Sequence, residues 1–217
     1  TAGKCLEWVK DHLALDEIGV FLDGKKVWED PESIYKSMYD FMLDRVKDVP
    51  AGSNGVMFTP WLHGNRCPFE DHYARGMFFN IGLETGKTEM IHSVVEGICY
   101  HLKWQLEAIE KKVKTKPLIR LVGGGALAPL TCQLLSDMLG REIESVDNPQ
   151  DVGAVGAAIT AAVGLNSIES IAASKKFIRP NRKYKPKRSN TEIYNRLFPV
   201  FKSLYMNNKK AFHTLNK

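Results

Sequence analysis

The sequence predicts an α/β fold, and three observations carry the prediction. Short apolar runs rich in branched side chains alternate with longer segments of helical periodicity, at the spacing of α/β units. One such run, Leu118-Ile119-Arg120-Leu121-Val122, leads directly into three consecutive glycines, Gly123, Gly124 and Gly125, and then into a helix. A second strand, Glu142-Ile143-Glu144-Ser145-Val146, precedes a helix of small residues that includes Gly153, Ala154, Gly156, Ala157, Ala158, Ala161 and Ala162. A helix this slim can press tightly on a sheet.

In chain order, Leu6, Val9, Leu13 and Leu15 suggest a first helix. Pro31-Glu32-Ser33 opens a second, with Ile34, Met38, Phe41, Met42 and Val46 on its apolar face. The turn cluster 50–55 leads into a strand that reads as buried, Val56-Met57-Phe58-Thr59-Pro60-Trp61, and residues 63–86 read as irregular. The longest helix is predicted over 88–112, with Met90, Val94, Ile98, Leu102, Leu106 and Ile109 along one stripe. Glu96 within it reads as a structural acid, buried and satisfied by nearby backbone donors. After the glycines, Pro129 suits a first helical position, where its missing N–H costs nothing. Leu130, Gln133, Leu134, Asp137 and Met138 continue that helix to Gly140, a C-terminal stop. An amphipathic helix carrying Ile193, Leu197, Phe201, Leu204 and Tyr205 closes the chain.

A chain of 217 residues, 44% hydrophobic and 25% charged, builds one good core with an appended lobe. The division falls at 1–170 for the main domain, with 171–217 a basic connection and closing helix packed on it. No apolar run reaches the ~18 residues that span a bilayer, and no secretory segment follows Thr1. Cys5, Cys67, Cys99 and Cys132 are widely spaced without a CxxC pair, which suits reduced thiols in the cytoplasm. The net charge of +5 is local: eight Lys and Arg, with no acid, lie between Ser174 and Arg188, so the remainder is slightly acidic. Only Phe177 and Tyr184 offer stacking surfaces there, and the run reads as a solvated connection rather than a nucleic-acid site.

Glycine tolerates positive φ and has no Cβ, so the turn at 123–125 lets the backbone approach a flat ligand, and the helix N-terminus beside it suits a nucleotide. A packing turn is the alternative. Gly123-x-Gly125-x-x-Ala128 also satisfies a relaxed dinucleotide pattern, with Asp147 where a ribose-binding acid would sit. That reading lacks the further strands a doubly wound sheet needs. His63, Cys67, Glu70, Asp71 and His72 are metal-ligating types, but their spacing matches no standard site. The simpler expectation is a polar loop in which Arg66 or Arg75 pairs with Asp71.

Several motifs, in order, are similar to the carboxy-terminal domain of the FGGY family of carbohydrate kinases, nearest its xylulokinases. They are Ala2-Gly3-Lys4-Cys5-Leu6-Glu7-Trp8; Gly64-Asn65-Arg66-Cys67-Pro68 with Ala74-Arg75-Gly76; and Gly76-Met77-Phe78 through Ser93-Val94-Val95-Glu96-Gly97. Gly123-Gly124-Gly125-Ala126 resembles the adenosine motif of the wider actin-like ATPase superfamily. Gly153-Ala154-Val155-Gly156-Ala157-Ala158 resembles its second interdomain helix. The tail, with Phe177, Pro180 and Tyr194, is similar as well. The chain departs from the family pattern at Asn65, Cys67, Asn80, which takes a glycine position, and Pro129.

The resemblance implies a ribonuclease-H-like lobe with a mixed sheet flanked by helices. It implies a nucleotide site at Gly123, Gly124, Gly125, Ala126 and Pro129, and a hinge at Gly153 and Gly156. The family moves the γ-phosphoryl of ATP to a sugar hydroxyl, with Mg2+ held mainly outside this chain. D-xylulose is the expected sugar, with glycerol, ribulose or gluconate the other choices. The family's catalytic aspartate and phosphate turns are absent: the sequence contains no Asp-x-Gly-Thr and no Gly-Thr. The expectation is therefore a fragment, inactive alone, whose partner is an amino-terminal kinase lobe, and which pairs as a homodimer through the exposed apolar face. A non-enzymatic actin-like nucleotide-binding module is the other reading.

Overall fold

The computed structural model describes residues 2–9, 21–22, 25–26 and 37–217. Helix α1 is Ala2–Val9; Leu13, Leu15 and the expected helix opening at Pro31-Glu32-Ser33 lie outside the described residues. Strands β1 (Phe21–Leu22) and β2 (Lys25–Lys26) pair antiparallel. Helix α2, Met38–Arg45, begins only after Ser37, which is extended and caps it by accepting from the Asp40 N–H at 3.2 Å.

The expected strand at 56–61 narrows to β3, Met57–Thr59, and pairs antiparallel with β4, Met77–Phe79, inside the stretch that reads as irregular. The loop between them closes on itself where Asn65 bridges Asp71. At the end of β4, Asn80 holds φ +65, the left-handed conformation that explains a glycine at this position elsewhere.

Helix α3, Lys87–Glu110, starts after Gly86, whose N–H donates to the Glu89 carboxylate at 3.1 Å. Its first half is buried on every side, from Ile91 to His101. The apolar stripe continues to Leu102, after which the helix emerges and leaves Ile109 48% exposed. Full enclosure is why His92, Ser93 and Glu96 are internal.

Strand β5 (Ile119–Arg120) lies parallel to β6 (Ile143–Val146), and β6 pairs antiparallel with β7 (Pro180–Tyr184), giving a three-stranded mixed sheet. The middle of the basic run, 180–184, is thus an edge strand rather than a loop. Its Lys and Arg side chains face water, and the sheet holds Tyr184, while Arg120 and Lys183 flank the buried Glu144 at 2.6 and 3.9 Å. Helix α4, Pro129–Leu139, starts at its proline and stops at Gly140 with φ +64, as the sequence predicts.

Helix α5 is Val152–Gly164, and α6, Arg188–Asn216, is longer than its apolar pattern. A buried acid fixes where α6 begins. Asp137 accepts from the Lys187 N–H at 2.8 Å and from Asn190 Nδ2 at 2.7 Å, placing a carboxylate at the positive end of the helix. The core then fills with rings from α3, α6 and the β3–β4 loop. Phe69 stacks on Tyr205 at 3.6 Å, Tyr100 on Phe201 at 5.1 Å, and Trp61 is edge-on to Tyr205 and Phe212.

Candidate functional site

The parallel ladder positions the glycine turn. Ile119 N–H donates to the Glu142 carbonyl at 3.0 Å and Leu121 N–H to that of Glu144 at 2.9 Å. The chain then leaves the sheet, and Gly123 N–H ties the turn to the Pro149 carbonyl at 2.7 Å. Gly123 has φ +89, a conformation open to glycine and costly for other residues. A single 3-10 turn, Gly124–Leu127, follows, closed by Ala126 N–H on the Gly123 carbonyl at 3.0 Å, and α4 begins at Pro129.

The five expected nucleotide residues come together here with different exposures. Gly124, Gly125 and Pro129 are exposed and Gly123 is half-buried, whereas Ala126, 5% exposed, belongs to the core below. Gly124 and Gly125 do not have left-handed φ values. A Cβ on Gly124 would meet nothing within 4 Å, and one on Gly125 only the Thr131 methyl at 4.0 Å. Nothing among the described residues demands glycine at either position. The result is a shelf of bare backbone with Val122 and Leu127, both apolar and exposed, next to it in the chain. Sequence reasoning missed these two; their only signal was their place beside the glycines. A flat aromatic base suits such a shelf, with the N-terminal end of α4 following it in the chain.

The slim helix does not press on a sheet. Helix α5 packs on the 3-10 segment Ile171–Lys176, with Ile159 buried, and a Cβ on Gly153 or Gly156 would meet nothing within 4 Å. The small-residue surface is open because no described segment lies across it. The antiparallel β7 against β6 also removes the dinucleotide alternative, since the sheet is not doubly wound after Asp147.

In the β3–β4 loop, Asp71 does not pair with Arg66 or Arg75. It accepts from Tyr73 N–H at 2.9 Å, Tyr205 Oη at 3.0 Å and meets His213 Nε2 at 3.1 Å, so the tail of α6 reaches it first. Burial opposes the charge, but these donors together hold the carboxyl below its ordinary value. Among the described residues no three His, Cys, Asp or Glu side chains gather as a metal site. The His72 imidazole meets Glu70 at 3.4 Å on the surface.

Glu96 is the structural acid the sequence suggests, with more side-chain than backbone support. Its Oε1 accepts from Gly52 N–H and Tyr194 Oη, each at 2.7 Å, and its Oε2 from Ser53 Oγ at 2.7 Å. Burial pushes its carboxyl up to about 7 against those donors, and pushes His92, 2.9 Å from Ser53 Oγ, down to about 4. Ser53 is fully enclosed, so this Ser–His–Glu grouping is a tie between the 50–55 turn, α3 and α6 rather than a nucleophile.

Residues 1–165 match the C-terminal domain of the FGGY family of carbohydrate kinases. The chain belongs to that family. Xylulose kinase of Bacillus subtilis is 29% identical over 209 residues, which is 96% of this chain and 38% of the relative. Gluconokinase of the same organism is 28% identical over 204 residues, 93% of this chain and 37% of the relative. The crystal structure of a ligand-bound xylulose kinase from Lactobacillus acidophilus superposes with a TM-score of 0.78 at 23% identity, covering 98% of this chain and 39% of that one. This FGGY chain therefore spans under two-fifths of the length of these relatives, and it shares the fold of the corresponding part of these kinases, an α/β lobe with the mixed sheet expected above. The glycine shelf, the open α5 and the β3–β4 loop all fall within the matched FGGY region.

Proposed function

We propose that this chain forms the adenosine side of the cleft of an ATP-dependent sugar kinase. The observation that carries the reading is the shelf at Gly124 and Gly125: two glycines that the fold itself does not require, open to solvent at the end of a parallel strand and beside a helix N-terminus. Base and ribose lie over Gly123, Gly124 and Gly125, with Ala126 supporting them from below and Pro129 at the rim. The residues that act on the γ-phosphate lie in an amino-terminal lobe beyond these 217 residues, as does the grip on Mg2+. Family membership and the absence of any Gly-Thr turn in the sequence support this division. The chain alone then transfers no phosphate.

The open surface of α5 at Gly153 and Gly156 is the hinge against that lobe. The main body runs over 1–170, and 171–217 supplies the edge strand and the helix packed on it. D-xylulose is the sugar, on the similarity to xylulose kinases, and the setting is the cytoplasm; no helix among the described residues is long and apolar enough to cross a membrane. Calorimetric titration with ADP and magnesium tests the reading. Binding by the isolated chain, with no phosphorylation of D-xylulose when ATP is supplied, is the expected result. No binding by a chain that melts cooperatively, or sugar phosphorylation by the chain alone, would contradict it. Exposed Val122, Leu127 and Leu165 also predict homodimers of the isolated chain, and a monomer in light scattering would count against that.

A further inference from the structure

The β3–β4 loop and the side of α3 enclose an open cleft of about 430 Å³, lined among others by His63, Asn65, Arg66, Arg75, His101 and Gln105. Its two guanidiniums meet no carboxylate among the described residues. Arg75 Nη1 donates to the His72 and Ala74 carbonyls, both at 2.8 Å, and exposed Arg66 has no hydrogen bond or ion pair there. Neither acid of the loop pairs with them: Asp71 faces Tyr73, Tyr205 and His213, and Glu70 meets His72, which is itself part of the cleft wall.

The wall is fixed in place. Gln105 Nε2 donates to the Cys67 carbonyl at 3.3 Å, and His101 Nδ1 accepts from Trp61 Nε1 at 3.3 Å. The Arg75 contacts brace the loop from the other end.

We propose that this cleft binds a small organic phosphate, a phosphate monoester whose oxygens bridge Arg66 and Arg75. Guanidinium presents a planar fork of donors that matches phosphate oxygens, and two such groups without carboxylate partners match a dianion. The cleft is far larger than phosphate alone requires and falls in the size range of small-molecule pockets, leaving room for the organic part beside Asn65 and Gln105. The site is formed by a different loop from the glycine shelf and does not depend on the adenosine reading.

Calorimetric titration with ribose 5-phosphate, inorganic phosphate and uncharged ribose tests it. Comparison variants are Arg66→Glu, Gly125→Val and, as a charge-reversal control, the exposed Lys112→Glu. Ribose 5-phosphate is expected to bind and ribose not. Arg66→Glu should weaken binding about tenfold or more, the value of one charge-assisted contact. Lys112→Glu and Gly125→Val should leave it unchanged, which separates this site from the shelf. Inorganic phosphate binding as tightly as the monoester supports the site and assigns it to free phosphate. No binding of either anion overturns the proposal, as does an Arg66→Glu chain of unchanged melting temperature that binds like the wild type. An Arg75→Lys chain gives a second reading: it keeps the charge but loses the fork, so affinity should fall, and unchanged affinity also counts against the proposal.

Discussion

At Gly97 an added Cβ would stand 2.2 Å from the carbonyl oxygen of Phe58, whereas at Gly124 it would meet nothing within 4 Å. The first glycine lies where α3 crosses β3, in a region where close packing itself explains the missing side chain. The rings interlock there, and the buried carboxylate of Glu96 has three donors. The second lies on an edge of exposed apolar side chains and uncrowded glycines, where internal packing explains neither the glycine nor Leu127, 55% exposed. A residue that the fold does not require points to something the fold receives. This is why the glycine shelf, and not the Ser–His–Glu grouping, is the candidate site, although the latter has the more perturbed titrating groups.

The contrast can be broken most sharply at Gly97. Gly97→Ala forces helix and strand apart and should cost about 3 kcal/mol or more in denaturant unfolding, with no direct effect on adenosine. An unchanged midpoint would mean that α3 and β3 have slack the structure does not show. Glu96→Ala comes next, at about 2 kcal/mol, because the Gly52 N–H and the Tyr194 and Ser53 hydroxyls lose their acceptor inside the core. Gly123→Ala should cost about 1 kcal/mol, since φ +89 is strained for alanine although its Cβ has space.

A smaller effect sharpens the account of the sealed region. Folding favours protonated Glu96, so its contribution is fully present below the ordinary value of 4.5 and is lost as pH rises through about 7. Folding favours neutral His92, whose contribution is present above 6.5 and lost as pH falls through about 4. Glu96→Gln removes only the first slope. Denaturant midpoints should therefore show the variant gaining on the wild type between about pH 5 and about pH 7, and parallel curves would contradict the burial of a titrating acid.

The sealed and open regions also differed in how far the sequence revealed them. Pro129 and Gly140 marked the bounds of α4 because their backbone preferences act locally. The glycine shelf was equally plain, a strand followed by three glycines. Strand β7 was hidden because an edge strand keeps its charges in water, so Lys and Arg masked the alternation that only Tyr184 reports. Strand β4 was hidden by its length of three residues. The partner of Asp71 was beyond local reading, since His213 lies 142 positions further on and displaces the nearby arginines. That displacement left Arg66 and Arg75 facing a cleft, a feature visible only once the tail of α6 is in place. The openness of α5 was likewise invisible, because composition records that a helix is slim and not what lies opposite.

The most direct test of the central claim is the affinity for adenosine, which carries no phosphate and so cannot be held by the arginine cleft, measured on Gly125→Val and wild-type chains that melt at the same temperature. The account predicts that the wild type binds and the variant does not, because valine fills the space a base would occupy without disturbing the fold. Equal binding by the two chains would show that the glycines at the end of β5 do not receive the nucleotide.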